Sequence, residues 1–175
     1  MRKSSTTQRE QDEKKILSEL INNSKENIDV IAKRCGFSRQ KVYKAIKQME
    51  KNQLILGYTA IFDEQKIGLN HYILLVKKTS KKLKEGTADR IISRRGETLL
   101  RESGGAIESS FYVHGEYDWV VTFTAQDIMQ AKKYSDLLTA LHPGEIEKIL
   151  LLQTLLCIKK QYILNPDRTK LKDIL

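Results

Sequence analysis

Arg39, Gln40, Lys41, Tyr43, Lys44 and Lys47 fall within one short stretch, and their side chains are of the kinds that grip nucleic acid. Lysine ammonium groups neutralise phosphates, whereas arginine and glutamine present paired hydrogen-bonding atoms that fit the edges of guanine and adenine. Between them stand Val42, Ala45, Ile46 and Met49, the spacing of one buried stripe on a helix. Ser38 precedes this helix where its hydroxyl can accept from the backbone of Gln40 or Lys41 as an N-cap. Glu50 is the only acid between Ser38 and Lys51. A helix that is apolar on one side and cationic on the other suits a phosphate-lined groove. Arg39 and Gln40, at its N-terminal end, are then placed for base edges with Tyr43 near them, while Lys41, Lys44, Lys47 and Lys51 face phosphates.

Such a helix needs a scaffold, and the preceding residues supply one. Ala32 is small where a first helix must approach a second, Gly36 follows four residues later where the chain turns with positive φ, and Val42 locks the second helix down. This spacing predicts a helix-turn-helix. An earlier helix is expected from about Glu10 to Asn22 on Ile16, Leu17, Leu20 and Ile21, after a polar and mobile start over residues 1–9. Asn27 or Asp29 can cap the next helix, which runs to about Cys35. Leu54 to Phe62 reads as a strand, giving a winged-helix type of domain over residues 1–62. Residues 63–70 read as a linker.

The charge is segregated in the same way. Residues 1–62 hold 13 Lys/Arg against 7 Asp/Glu, residues 63–158 hold 13 against 13, and residues 159–175 hold 5 against 2. A basic module, a neutral module and a basic tail fit nucleic acid better than a membrane surface or a uniformly basic coat. Cys35 and Cys157 sit in apolar patterns and imply buried thiols in a reducing cytoplasm, not a disulfide framework. No apolar leader is visible at the start. The longest greasy run, Ile149 to Ile158, is ten residues, against about 20 for a spanning helix.

The second half carries little that resembles catalysis. His71, His114 and His142 show no metal-ligand spacing with either cysteine. Gly104-Gly105 and Gly115 do not form a phosphate-cradling loop, and Glu145 and Glu147 share a strand face without a partner. No enzyme activity, no metal and no cofactor are expected. What the segment does carry is an order of elements: strand (71–78), helix (87–102, with Gly96 as a breaking point), strands (106–113 and 119–124) around a tight turn, helix (127–141), strand (146–159). That order is the split-βαβ, ferredoxin-like arrangement over residues 71–160, an α+β fold for the whole chain. The last strand is aliphatic on both faces, at Ile149 to Leu152 and Leu155-Leu156. A sheet with helices on one side leaves the other exposed, so the pattern predicts dimerisation through this domain. The basic tail, 161–175, is open between a docking helix, a further DNA contact and disorder.

With both halves in place, the chain resembles the Lrp/AsnC, or feast/famine, family of prokaryotic transcription regulators. The helix-turn-helix, QLILGYTAIFD (53–63) and HGEYDWVVTF (114–123) carry the resemblance, which spans about Asp12 to Ile158. It implies a cytoplasmic, nucleoid-associated protein that binds double-stranded DNA as a dimer, with further assembly to tetramers or octamers. It also implies an amino-acid or related effector held between second domains. Carried over, Gly115, Tyr117 and Asp118 line that site, with Asp118 pairing a ligand ammonium; GEYD can equally be read as a plain hairpin turn. One departure stands out: GEIEKILLL (144–152) lacks the hydroxyl residues that amino-acid-binding members carry early in the last strand. A DNA-organising protein of the same fold with no effector is the alternative reading. A helix-turn-helix that docks protein is disfavoured by the basic residues of 38–51.

Overall fold

The computed structural model describes residues 2–81 and 85–175, and the side chains among these except at residues 2–6 and 90. The chain divides into two compact units, one formed by Met1–Ile61 with Ile158–Leu175 and the other by Phe62–Cys157.

The first unit is built on three helices: α1 (Arg2–Asn22), α2 (Ile28–Cys35) and α3 (Arg39–Lys51). Asn27 caps α2 by accepting from the Asp29 backbone at 2.9 Å. Gly36, with φ at 72°, ends it: Phe37 N–H donates to the Ala32 carbonyl at 2.9 Å and Gly36 N–H to that of Lys33 at 3.3 Å. This is a Schellman motif, which needs a residue free to adopt positive φ. Ser38 then caps α3 by accepting from the Lys41 backbone at 3.2 Å. Ile16, Leu20, Ile31, Ala32, Val42 and Met49 form the buried core between the helices, with Ile55 packed against it. The small residue, the turn glycine and the locking aliphatic therefore stand where the spacing put them.

Two expectations here are corrected. Residues 2–9 are helical as the start of α1, and where they meet the rest of the helix i,i+4 pairs join Gln8 to Asp12 at 3.1 Å and Arg9 to Glu13 at 2.8 Å. Leu54 to Phe62 is not a strand. Its composition favours extended chain, but a strand exists only against a ladder partner, and among the described residues none pairs with it. The C-terminal residues join this unit as a small hairpin, β5 (Lys159–Lys160) with β6 (Ile163–Leu164), followed by α7 (Leu171–Ile174). Gln161, at φ 48°, takes the left-handed place in the hairpin turn.

The second unit is a four-stranded antiparallel sheet in the order β2-β3-β1-β4, from β1 (Asn70–Lys78), β2 (Ala106–Tyr112), β3 (Trp119–Ala125) and β4 (Ile146–Gln153). Its helices are α4 (Thr87–Ile92), α5 (Arg95–Glu102) and α6 (Ile128–Leu141), the last capped by Asp127. Strand alternation sends Tyr72, Leu74, Val76, Val121, Phe123 and Ala125 to one face, where they meet Leu100 of α5 and Ala131, Tyr134 and Leu138 of α6. This is the ferredoxin-like arrangement read from the element order. The last strand, expected to run from 146 to 159, ends at Gln153 because its neighbour β1 begins at Asn70 and offers no ladder beyond it. The helix over 87–102 breaks at Arg94, with φ at 56°, not at Gly96. Glu97 grips the Arg94 guanidinium at 2.6 Å and so holds the left-handed turn.

Candidate nucleic-acid interface

On α3, Val42 and Met49 are buried and Ala45 and Ile46 lie half-buried against the same core. The opposite face exposes Ser38, Arg39, Gln40, Lys41, Tyr43, Lys44, Lys47 and Lys51. The fold therefore brings every sequence-expected DNA-contacting residue onto one solvent-facing side.

The electrostatics of that side differ from residue to residue. Arg39 reaches back to Asp29 at 3.2 Å. Lys41 pairs with Asp12 at 2.7 Å and lies over the Phe37 ring at 3.8 Å from its centroid. Lys47 pairs with Glu50 at 2.8 Å, and Tyr58 donates its hydroxyl to the same carboxylate at 3.1 Å. The Lys41 ammonium holds the Asp12 carboxyl below its usual range. The Glu50 hydrogen bond pushes Lys47 up, and the Lys47 and Tyr58 hydrogen bonds hold Glu50 down. Lys44 and Lys51 have no ion pair among the described residues, and neither Gln40 nor Tyr43 has a side-chain hydrogen bond. Asp12 and Asp29 come from other helices to temper the basic face, which the sequence of α3 alone could not signal. Exposed pairs of this kind are weak and screened by salt, yet each places a carboxylate beside a cation that a phosphate would otherwise meet free.

The second place singled out by the sequence is the β2–β3 turn, and the structure puts Gly115, Tyr117 and Asp118 on it. Asp118 is already engaged: its carboxylate accepts from the Lys78 backbone at 2.9 Å and pairs with the Lys78 ammonium at 3.5 Å. Its own N–H donates to the Val76 carbonyl at 3.0 Å. Tyr117 is half-buried. A Cβ on Gly115 would meet nothing within 4 Å, and its φ is not positive. The bracing of Asp118 against β1 was not visible in the sequence, since Lys78 lies forty residues away.

Two of the three histidines also gain partners. His71 bridges Thr154 at 2.6 Å and Glu108 at 3.0 Å, and His142 approaches Glu145 at 3.3 Å in a buried site where Thr87 donates to the same carboxylate. Among the described residues no group of three or more His, Cys, Asp and Glu side chains could hold a metal ion. No described helix is long and apolar enough to cross a membrane.

A family model described as winged helix-turn-helix DNA-binding matches residues 13–55, which encompass the C-terminal part of α1 and all of α2 and α3. Among solved structures, an AsnC family transcriptional regulator from Agrobacterium tumefaciens is similar at 19% identity, with a TM-score of 0.62, over 89% of this chain and 96% of that one. The leucine response regulatory protein LrpA of Mycobacterium tuberculosis is similar at 14% identity, with a TM-score of 0.66, over 87% and 96%. The fold is that of the Lrp/AsnC regulators. A transcriptional regulator from Neisseria meningitidis in complex with L-methionine shares it as well, at 18% identity, with a TM-score of 0.64, over 86% of this chain and 92% of that one. No curated protein matches the sequence. The Lrp/AsnC likeness thus extends over both units, and residues 13–55 carry the DNA-binding signature on their own.

Proposed function

We propose that the chain is a sequence-specific, DNA-binding transcription regulator of the Lrp/AsnC type, acting in a prokaryotic cytoplasm. The observation that carries this reading is α3 itself, capped, locked on one side and presenting Arg39, Gln40, Tyr43 and the unpaired Lys44 and Lys51 on the other. Lys44 and Lys51 neutralise phosphates without first breaking an ion pair. Arg39 and Gln40, in the first turn, meet base edges. Dimerisation belongs to the same reading. On the sheet face away from the helices, Phe111, Val120, Leu75 and Leu150 are cross-strand neighbours in one row over all four strands. Phe111 is 55% exposed and Leu152 beside the row 40%, an apolar surface that a second sheet would cover. A two-fold dimer reads two half-sites, so the operator is a pseudo-palindrome. An amino-acid effector near Gly115, Tyr117 and Asp118 completes the proposal, supported by the shared fold of the L-methionine complex.

Selection of genomic fragments by the purified protein at physiological salt tests this. Recovery of a short pseudo-palindrome with discrete half-sites is the expected result. Recovery of unrelated fragments in proportion to their length would contradict it and would fit a DNA-organising role instead.

A further inference from the structure

The second unit contains a cavity of about 650 Å³ between α4–α5, the C-terminal end of α6 and the helix-facing side of the sheet. Small-molecule sites span about 300–1,000 Å³. Ile91, Ile107, Leu138 and Leu141 give it apolar walls, and Trp119 supplies a flat one. The indole is fixed on two sides. Its N–H donates to Ser110 Oγ at 2.8 Å, and the His142 ring meets it edge-on with centroids 5.9 Å apart.

Two polar side chains in the lining are more than nine-tenths buried, Tyr134 at 3% and His142 at 6% exposure. Among the described residues, the only enclosed side-chain polar atom without a partner is the Tyr72 hydroxyl. The Tyr134 hydroxyl makes no hydrogen bond either, so it borders open space, and the space against it is the cavity. His142 turns its Nδ1 to Glu145, and the residue lines both this cavity and a small neighbouring one shared with Asp118 and Glu145. Burial first, and then the Glu97 carboxylate that also lines the cavity, push the Tyr134 pKa up, so the phenol stays a donor across the physiological range. At the rim Arg94 is held by Glu97, whereas Arg95 has no ion pair among the described residues. A dry packing void gains nothing from buried groups with unused hydrogen-bonding capacity, which are costly there.

We propose that this cavity is a binding site for a small carboxylic acid with an apolar body, its apolar part against Trp119, Leu138 and Leu141 and its carboxylate on Arg95 and the Tyr134 hydroxyl. The site lies within one protomer, is separate from the turn at Gly115, Tyr117 and Asp118, and does not depend on the DNA-binding reading.

Trp119 is the only tryptophan of the chain, so intrinsic fluorescence of the full-length protein reports on the cavity directly. Titration with 3-phenylpropionate is expected to give a saturable change, and 3-phenylpropionamide to bind about tenfold more weakly or worse. Gly96 offers the blocking variant. A Cβ there would lie 3.6 Å from Leu141 Cδ1 and 3.7 Å from the Tyr134 hydroxyl, so Gly96→Leu pushes a larger side chain toward the cavity from a helical position where leucine is favourable. It is expected to remove the response with the circular dichroism unchanged. Arg95→Ala, at an exposed position, is expected to abolish the preference for acid over amide. Tyr117→Ala, at the turn, is expected to keep the response. Absence of saturation tighter than about 1 mM in the parent protein would overturn the proposal, as would unaltered acid preference in Arg95→Ala. A response lost in Tyr117→Ala but kept in Gly96→Leu would move the ligand to the turn, overturning the cavity site while leaving the effector reading intact.

Discussion

Replacing Lys44 with alanine separates its role from that of Lys41, three residues earlier on the same helix. Both are exposed lysines, but Lys41 is held by Asp12 and Phe37, whereas Lys44 has no such partner. Each phosphate neutralised by a free lysine adds about 0.9 to the slope of log affinity against log salt. Between about 50 and 200 mM salt that amounts to roughly 3.5-fold in affinity per lysine, and roughly 12-fold for the two copies in a dimer. Lys44→Ala is therefore expected to weaken binding at low salt and to flatten the salt dependence by about 1.8 slope units per dimer. Lys41→Ala removes a charge already offset by Asp12, and its slope is expected to change by less than half as much. Fluorescence anisotropy of a labelled duplex of arbitrary sequence measures both, because the effect is independent of base sequence. Equal slope changes in the two variants, or an unchanged slope in Lys44→Ala, would refute the assignment of free and tied cations on α3.

Three further outcomes follow from the second unit. Tyr72 is fully buried and stacked on Phe123 with its hydroxyl unpartnered, so Tyr72→Phe is expected to leave stability unchanged or raise it by about 1 kcal/mol in urea unfolding; a loss of that size would show a partner for the hydroxyl. A Cβ on Gly105 would come within 2.7 Å of the Thr124 carbonyl and 2.6 Å of Leu100 Cδ1, so Gly105→Ala is expected to cost about 1–3 kcal/mol by the same measurement. Arg94, then Arg101, hold the Glu97 carboxyl below its usual range. A depressed carboxyl stabilises the fold above its unfolded value and loses that contribution as pH falls through the folded one. Glu97→Gln should thus be less stable than the parent at neutral pH, and the gap should close as pH drops below 4.5, the ordinary glutamate value. A gap independent of pH would assign the loss to packing.

The local code of the first unit was legible because it is local. Ala32, Gly36, Ser38 and Val42 act within one or two turns of chain, and their spacing carries the helix-turn-helix without help from elsewhere. The ferredoxin-like order was legible for a related reason, since hydrophobic period and turn residues mark each element separately. Much of what was not legible depends on partners distant in sequence. Leu54 to Phe62 has the residues of a strand, but its state is set by whether another edge is present. Residues 2–9 are polar throughout, yet they continue α1 as its first turns. The helix breaks at Arg94, whose guanidinium Glu97 holds, while Gly96 stays helical, where an added Cβ would make only ordinary contacts with Leu141 and Tyr134. Within the candidate site, the basic residues and their common face were readable. Their pairing with Asp12 and Asp29, and the commitment of Asp118 to Lys78, came only with the fold. The cavity under α5 left no mark in the sequence, since its polar lining joins Arg95 and Glu97 of α5 to Tyr134 of α6 and the following His142, and its flat wall comes from β3.

The central claim is that α3 reads base sequence through its first turn and holds phosphates through its free lysines. Measuring the ratio of specific to non-specific affinity for Arg39→Ala and Lys44→Ala, on the site recovered by fragment selection, tests it most directly. The expected result is a ratio that falls by about tenfold or more in Arg39→Ala, one bidentate base contact, while Lys44→Ala weakens every sequence alike and leaves the ratio in place. An unchanged ratio in Arg39→Ala, or parallel losses in the two variants, would contradict it.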